Sequence, residues 1–107
     1  MTPNKNPFFI TGASRGIGRA IAIRFAAAGY QLALCCRQNT QLLEDLQQLI
    51  ISQYHTDCLI FTGDTGDYHQ LETMISETIA RFHHIDVLVN NAGISYIGLL
   101  TDMSPDD

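Results

Sequence analysis

At 107 residues the chain has room for one small domain. Its 46% apolar and 16% charged residues are a globular composition, which excludes a disordered chain. A net charge of −5 with no Lys/Arg cluster argues against nucleic acid or an anionic membrane as partner, and no apolar run is long enough to span a bilayer.

The opening MTPNKNP lacks the charged, apolar, small-residue order of a signal peptide, so the cytoplasm is the expected compartment. Phe8 to Thr11 is an apolar run that reads as a buried strand. From Gly16 the period changes: Ile17, Ala20, Ile21, Phe25 and Ala28 fall on one helical face, and Gly29 is placed to end the helix. Gln31 to Cys36 reads as a second strand. Leu42, Leu43, Leu46, Leu49 and Ile50 predict a helix over Thr40 to Tyr54. Asp57 to Thr62 is the third strand. Asp67 with Gln70 resembles a capping box, and Leu71, Met74, Ile75, Thr78, Ile79 and Phe82 give the buried face of a third helix. Asp86 to Asn90 is the fourth strand.

The order is thus β-α-β-α-β-α-β. Each strand is a continuous apolar run, so both sheet faces are expected to be covered. This is an α/β, Rossmann-type doubly wound parallel sheet, and right-handed crossovers predict a strand order of 3-2-1-4. The fourth strand is then left at an edge that needs cover. Near the end, Ser104, Pro105, Asp106 and Asp107 are signals for starting a helix. The reading expects residues 1–107 to be the N-terminal part of a single domain whose remainder is missing. Cys35, Cys36 and Cys58 sit in apolar runs and are expected reduced and buried. Adjacent Cys35 and Cys36 should point to opposite sheet faces. Cys58, His83 and His84 have no recognised ligand spacing, so no metal site is assigned.

Three glycines mark the first strand-to-helix turn. Gly12 suits a tight turn, Gly16 removes a Cβ where a phosphate would approach backbone, and Gly18 allows close helix packing. Ser14 and Arg15 lie in the same loop and can hydrogen-bond or charge-pair with phosphate. The spacing is Gly-x-x-x-Gly-x-Gly, and no Gly-Lys-Ser/Thr follows, so this is not a Walker-type loop. Arg37 stands at the end of the second strand, where an acid would bind the ribose 2′-hydroxyl of NAD(H). A guanidinium there, with Arg15, favours the 2′-phosphate of NADP(H). Asn90, Asn91, Ala92 and Gly93 end the fourth strand beside the first, at the switch point where open α/β sheets bind ligands.

The stretch TGASRGIG (Thr11 to Gly18), with NNAG (Asn90 to Gly93) and Asp64, resembles the classical short-chain dehydrogenases/reductases, most closely the 3-oxoacyl-acyl-carrier-protein reductase type. The resemblance runs from about Phe8 to the end. It implies that Gly12, Ser14, Arg15 and Ile17 lie along the cofactor phosphates and ribose. It implies that Asp64 meets the adenine amino group with Thr65 adjacent. It further implies that Asn91, Ala92 and Gly93 line the nicotinamide-side ribose, while Asn90 helps hold the central sheet. The activity implied is hydride transfer between NADP(H) and a small carbonyl or alcohol substrate, with an acyl-carrier-linked one in view, in a homo-oligomeric protein.

The family's chemistry needs a Tyr-x-x-x-Lys pair, in which the tyrosine hydroxyl donates a proton and the lysine lowers its pKa. Tyr30, Tyr54, Tyr68 and Tyr96 have no lysine four residues on, and the only lysine is Lys5. No catalytic residue is therefore assigned within these 107 positions. The alternative to part of an enzyme is a dinucleotide-binding module that performs no catalysis.

Overall fold

The structure, a computed structural model, describes residues 7–90 and the backbone of residues 96–99. Eight elements follow in order: β1 (Phe8–Ile10), α1 (Gly16–Ala27), β2 (Leu32–Cys36), α2 (Thr40–Tyr54), β3 (Cys58–Thr62), α3 (Tyr68–Phe82), β4 (Val87–Asn90) and β5 (Tyr96–Leu99). The sheet order is β3-β2-β1-β4-β5, so the predicted 3-2-1-4 arrangement is present and all pairs within it are parallel. The expectation of an exposed β4 edge is overturned. β5 pairs with β4 antiparallel, Val87 opposite Leu99 through Asn90 opposite Tyr96. Antiparallel pairing with β5 satisfies the outward-facing β4 backbone donors and acceptors that an edge would have left open.

Two cores sandwich the sheet. On one face Phe8, Ile10, Leu32, Leu34 and Cys36 meet Ala22 and Ala26 of α1 and Leu43, Leu46 and Ile50 of α2. On the other, Phe9, Ala33 and Cys35 meet Met74 and Phe82 of α3. Strand alternation thus sends Cys35 and Cys36 to opposite faces; both are buried free thiols, as is Cys58. No helix among the described residues is long and apolar enough to cross a membrane.

The helices depart from the predicted faces in an instructive way. In α1 the fully buried stripe is Gly18, Ala22 and Ala26, while Ile17, Ala20 and Ala28 are exposed. An almost wholly apolar helix has no marked face, and the one with the smallest side chains lets the backbone approach the sheet closest. Leu42 of α2 and Ile79 of α3 are exposed at 46% and 43%, at the margins of their apolar stripes.

Termination of α1 follows the glycine. Gly29 has φ +90°, its N–H donates to the Ala26 carbonyl at 2.9 Å, and the Tyr30 N–H donates to Phe25 at 3.0 Å. The Tyr30 ring packs on Phe25, ring centroids 5.4 Å apart, which completes a Schellman motif. The other two helices end on left-handed histidines, His55 (φ 55°) and His83 (φ 78°). At the start of α3, the Asp67 Oδ1 accepts from the His69 and Gln70 N–H groups at 2.9 and 3.2 Å. The Gln70 side chain does not return to the Asp67 N–H, as a capping box requires. Its Oε1 accepts instead from the Asp64 N–H at 2.8 Å, because the Asp67 N–H is already taken by the Asp64 carbonyl.

Candidate functional site

All four parallel strands point their carboxyl ends at one cleft. The loops leaving them are pinned there by backbone bonds that continue the sheet. The Thr11 N–H donates to Val89 at 2.9 Å, the Ala13 N–H to Cys35 at 3.0 Å, and the Gly63 N–H to Cys36 at 2.9 Å. The Thr11 hydroxyl also donates to the Asn90 Oδ1 at 3.1 Å, which ties the end of β1 to the end of β4. That bond supports the part the family resemblance gives Asn90 in holding the sheet.

The cleft has a volume of about 920 Å³. It brings together Gly12, Ser14, Arg15, Gly16, Ile17, Arg37, Asp64 and Thr65, residues drawn from three separate loops. Gly18 is not on its wall; a Cβ there would overlap the Gly12 carbonyl, with the carbonyl carbon at 2.9 Å and the Ala13 Cα at 3.0 Å. Its contact is therefore with the loop rather than the strand, and it sets how close α1 sits to the turn. Gly12 and Gly16 hold φ of +60° and +64°, conformations that favour glycine. A Cβ at Gly16 would meet nothing within 4 Å, so this backbone is open to an approaching group. Asn91, Ala92 and Gly93 lie outside the described residues.

Reading from sequence left several wall residues unassigned: Cys35, Cys36, Gln38, Asn39, Gly63 and Gly66. Gln38 and Asn39 are there because α2 begins directly after the β2 loop. Proximity to Arg37 is the signal that could have found them. Gly63 is there because its N–H continues the pairing of β2 with β3.

Two helix N-termini open on the cleft without a built-in anion. Arg15, at the N-cap of α1, has extended backbone (φ −160°) and offers no side-chain cap. Asn39, at the N-cap of α2, likewise makes no side-chain cap bond, and neither helix has an acid in its first turn. The opposite holds at α3, which Asp67 caps. Uncapped N–H groups and the positive ends of two helix dipoles make a site suited to phosphate. The charged wall residues are Arg15, Arg37 and Asp64, a local positive balance on a chain of net charge −5.

Cys35, under the cleft, and Cys58, at the opposite end of the sheet, are unreactive by environment. Burial, reinforced by the charge of Cys36, pushes the Cys35 thiol up to about 12, against a hydrogen bond from the Gly12 N–H that pulls the other way. Burial, with the Asp57 charge, likewise pushes Cys58 up to about 12. Neither is a nucleophile near neutral pH.

A parallel sheet of order 3-2-1-4, a glycine loop leading into a helix N-terminus and a cleft at the switch point define a dinucleotide-binding α/β protein. The family model for the short chain dehydrogenases matches residues 7–107, and the chain belongs to that family. It is 45% identical over 103 residues to "Dehydrogenase/reductase SDR family member 7B" of Bos taurus, covering 91% of this chain and 31% of that protein. It is 37% identical over 94 residues to 3-oxoacyl-[acyl-carrier-protein] reductase FabG of Staphylococcus aureus, covering 88% and 38%. Among solved structures, an alcohol dehydrogenase from Thermococcus sibiricus complexed with 5-hydroxy-NADP matches with a TM-score of 0.77 at 33% identity, over 94% of this chain and 43% of that one. L-sorbose reductase from Gluconobacter frateurii complexed with NADPH and L-sorbose matches with a TM-score of 0.78 at 26% identity, over 96% and 39%. The chain thus spans between 31% and 43% of the length of these relatives.

Proposed function

We propose that this chain binds NADP(H) and forms the cofactor-binding part of a cytoplasmic oxidoreductase that moves hydride between nicotinamide and a carbonyl or alcohol. The observation that carries the reading is the pair of uncapped, acid-free helix N-termini, α1 and α2, opening on one cleft with Arg15 and Arg37. Gly12, Ser14, Arg15, Gly16 and Ile17 would hold the diphosphate, with Gly18 fixing the distance of α1 from the loop. Arg37 and Arg15 would meet the 2′-phosphate, and Asp64 with Thr65 the adenine. Asn91, Ala92 and Gly93 are assigned to the nicotinamide-side ribose. Bound NADPH would supply the hydride. The chain's own residues bind, orient and hold the cofactor; the proton donor is not assigned to any of them. NADP-bound solved relatives support the preference over NAD(H).

The substrate class proposed is a 3-oxoacyl thioester or similar ketone, supported by the likeness to FabG, in a homo-oligomeric protein. A second reading is a dinucleotide-binding module without catalysis; among these 107 residues no tyrosine has a lysine four positions on. Two assays separate them. NADPH fluorescence titrated with the protein should saturate under either reading. Oxidation of NADPH by the whole oxidoreductase of which this chain is proposed to form part, followed with an acetoacetyl thioester, should proceed under the first only. No fluorescence change at all would refute both.

A further inference from the structure

The anion that faces Arg37 is built into the cleft wall. The Asp64 N–H is held by the Gln70 side chain at 2.8 Å, its carbonyl accepts from the Asp67 N–H at 3.0 Å, and its Oδ1 accepts from the Gly66 N–H at 2.8 Å. Three bonds thus fix the residue in its turn and leave Oδ2 directed across the cleft, 3.8 Å from the Arg37 Nη2. Arg37 is the more exposed partner, at 74% against 42% for Asp64.

Resting on the reading that the cleft takes NADP(H), we infer that Asp64 is a specificity-determining residue that moderates the 2′-phosphate preference set by Arg37. A 2′-phosphate that reaches the guanidinium comes within a few ångströms of a fixed carboxylate of the same sign. It must share Arg37 with that carboxylate and bear its repulsion. A ribose bearing only a 2′-hydroxyl suffers neither. The carboxylate therefore penalises NADP(H) relative to NAD(H) and narrows the gap between them. Exposure keeps the effect modest: removing the charge should widen the NADPH-over-NADH affinity ratio about three- to ten-fold at low salt, and less at high salt.

The test measures Kd for NADPH and NADH on the whole chain, as wild type, Asp64→Asn, Arg37→Ala and the double variant. Asparagine keeps the oxygen that accepts from the Gly66 N–H, so the turn is preserved while the charge is removed. Asp64→Ser removes the same charge and serves as the second variant. The expected result is a ratio widened in both Asp64 variants when Arg37 is present, with less than about a two-fold change in the Arg37→Ala background, where the phosphate is no longer held near the wall. Equal changes in both affinities would make Asp64 an adenine contact only and overturn the inference. So would a widening that persists undiminished without Arg37. Failure of wild type to bind either cofactor would overturn the functional reading as well, whereas binding of both with an unchanged ratio would overturn this inference alone.

Discussion

Gly18→Ala separates a packing glycine from a conformational one. Position 18 lies within α1, where alanine is favoured over glycine by about 1 kcal/mol of helix propensity. Against that stands a Cβ driven into the Gly12 carbonyl, 2.9 Å from its carbon and 3.0 Å from the Ala13 Cα. Those neighbours are backbone, pinned by the Ala13 N–H bond to Cys35, so relief requires α1 or the loop to shift. Overpacking of this kind costs about 1–3 kcal/mol, which leaves a net loss of up to about 2 kcal/mol. The same shift moves the loop N–H groups proposed to hold the diphosphate, so NADPH affinity should fall at least about ten-fold, the equivalent of about 1.4 kcal/mol. Gly16→Ala is the control. It meets no atom within 4 Å, and its cost of about 1–2 kcal/mol comes from φ +64° alone. Urea unfolding followed by circular dichroism gives the stabilities, and NADPH fluorescence gives the affinities. A Gly18→Ala protein more stable than wild type by the propensity gain, with affinity unchanged, would refute the reasoning.

Arg37→Asp should reverse the cofactor preference, losing roughly ten- to hundred-fold in NADPH affinity while NADH binding holds or improves; paired Kd measurements check it. Cys35 and Cys58 should resist a thiol reagent such as Ellman's at pH 8 until the protein is unfolded, and rapid native labelling at either site would contradict their burial. Their thiols are raised in the fold from 9.0 to about 12, so the folded state holds these protons more tightly. The stability this contributes is full below pH 9 and is lost as pH rises toward 12, which an alkaline series of urea midpoints detects. Asp67 has the opposite sign. The N–H of Gln70, then that of His69, holds its carboxyl below 3.8, so its contribution is present above that pH and lost below it. Asp67→Asn should flatten that acid limb in a pH series of melting temperatures.

The fold was legible wherever apolar pattern and turn chemistry agree. The continuous strand runs, Gly29 as a helix stop and the Thr40 to Tyr54 helix all depend on local signals, and so does the opposition of Cys35 to Cys36. What the sequence hid depends on tertiary choice. In α1 nearly every position is apolar, so the buried stripe was decided by side-chain size, which selected Gly18, Ala22 and Ala26 over Ile17. Left-handed His55 and His83 carry only a weak residue-type signal, since glycine dominates that role and histidine is merely enriched among the rest. β5 pairs antiparallel with β4, where the expectation of another parallel crossover led to an exposed edge.

Of the residues that line the cleft, Gly12, Gly16 and Arg37 were legible, because each supplies a backbone or charge that few residues can. The Gln70-to-Asp64 bond and the Thr11-to-Asn90 bond were not, since each joins residues whose facing depends on the final packing.

The most direct test of dinucleotide binding in this cleft is an amide NMR titration of the isotope-labelled chain with NADP+. Saturable shifts concentrated at residues 12–18, 36–39 and 63–66 are predicted, with His55 and His83, outside the cleft, unmoved. An unchanged spectrum at millimolar NADP+, or shifts centred away from these loops, would contradict it.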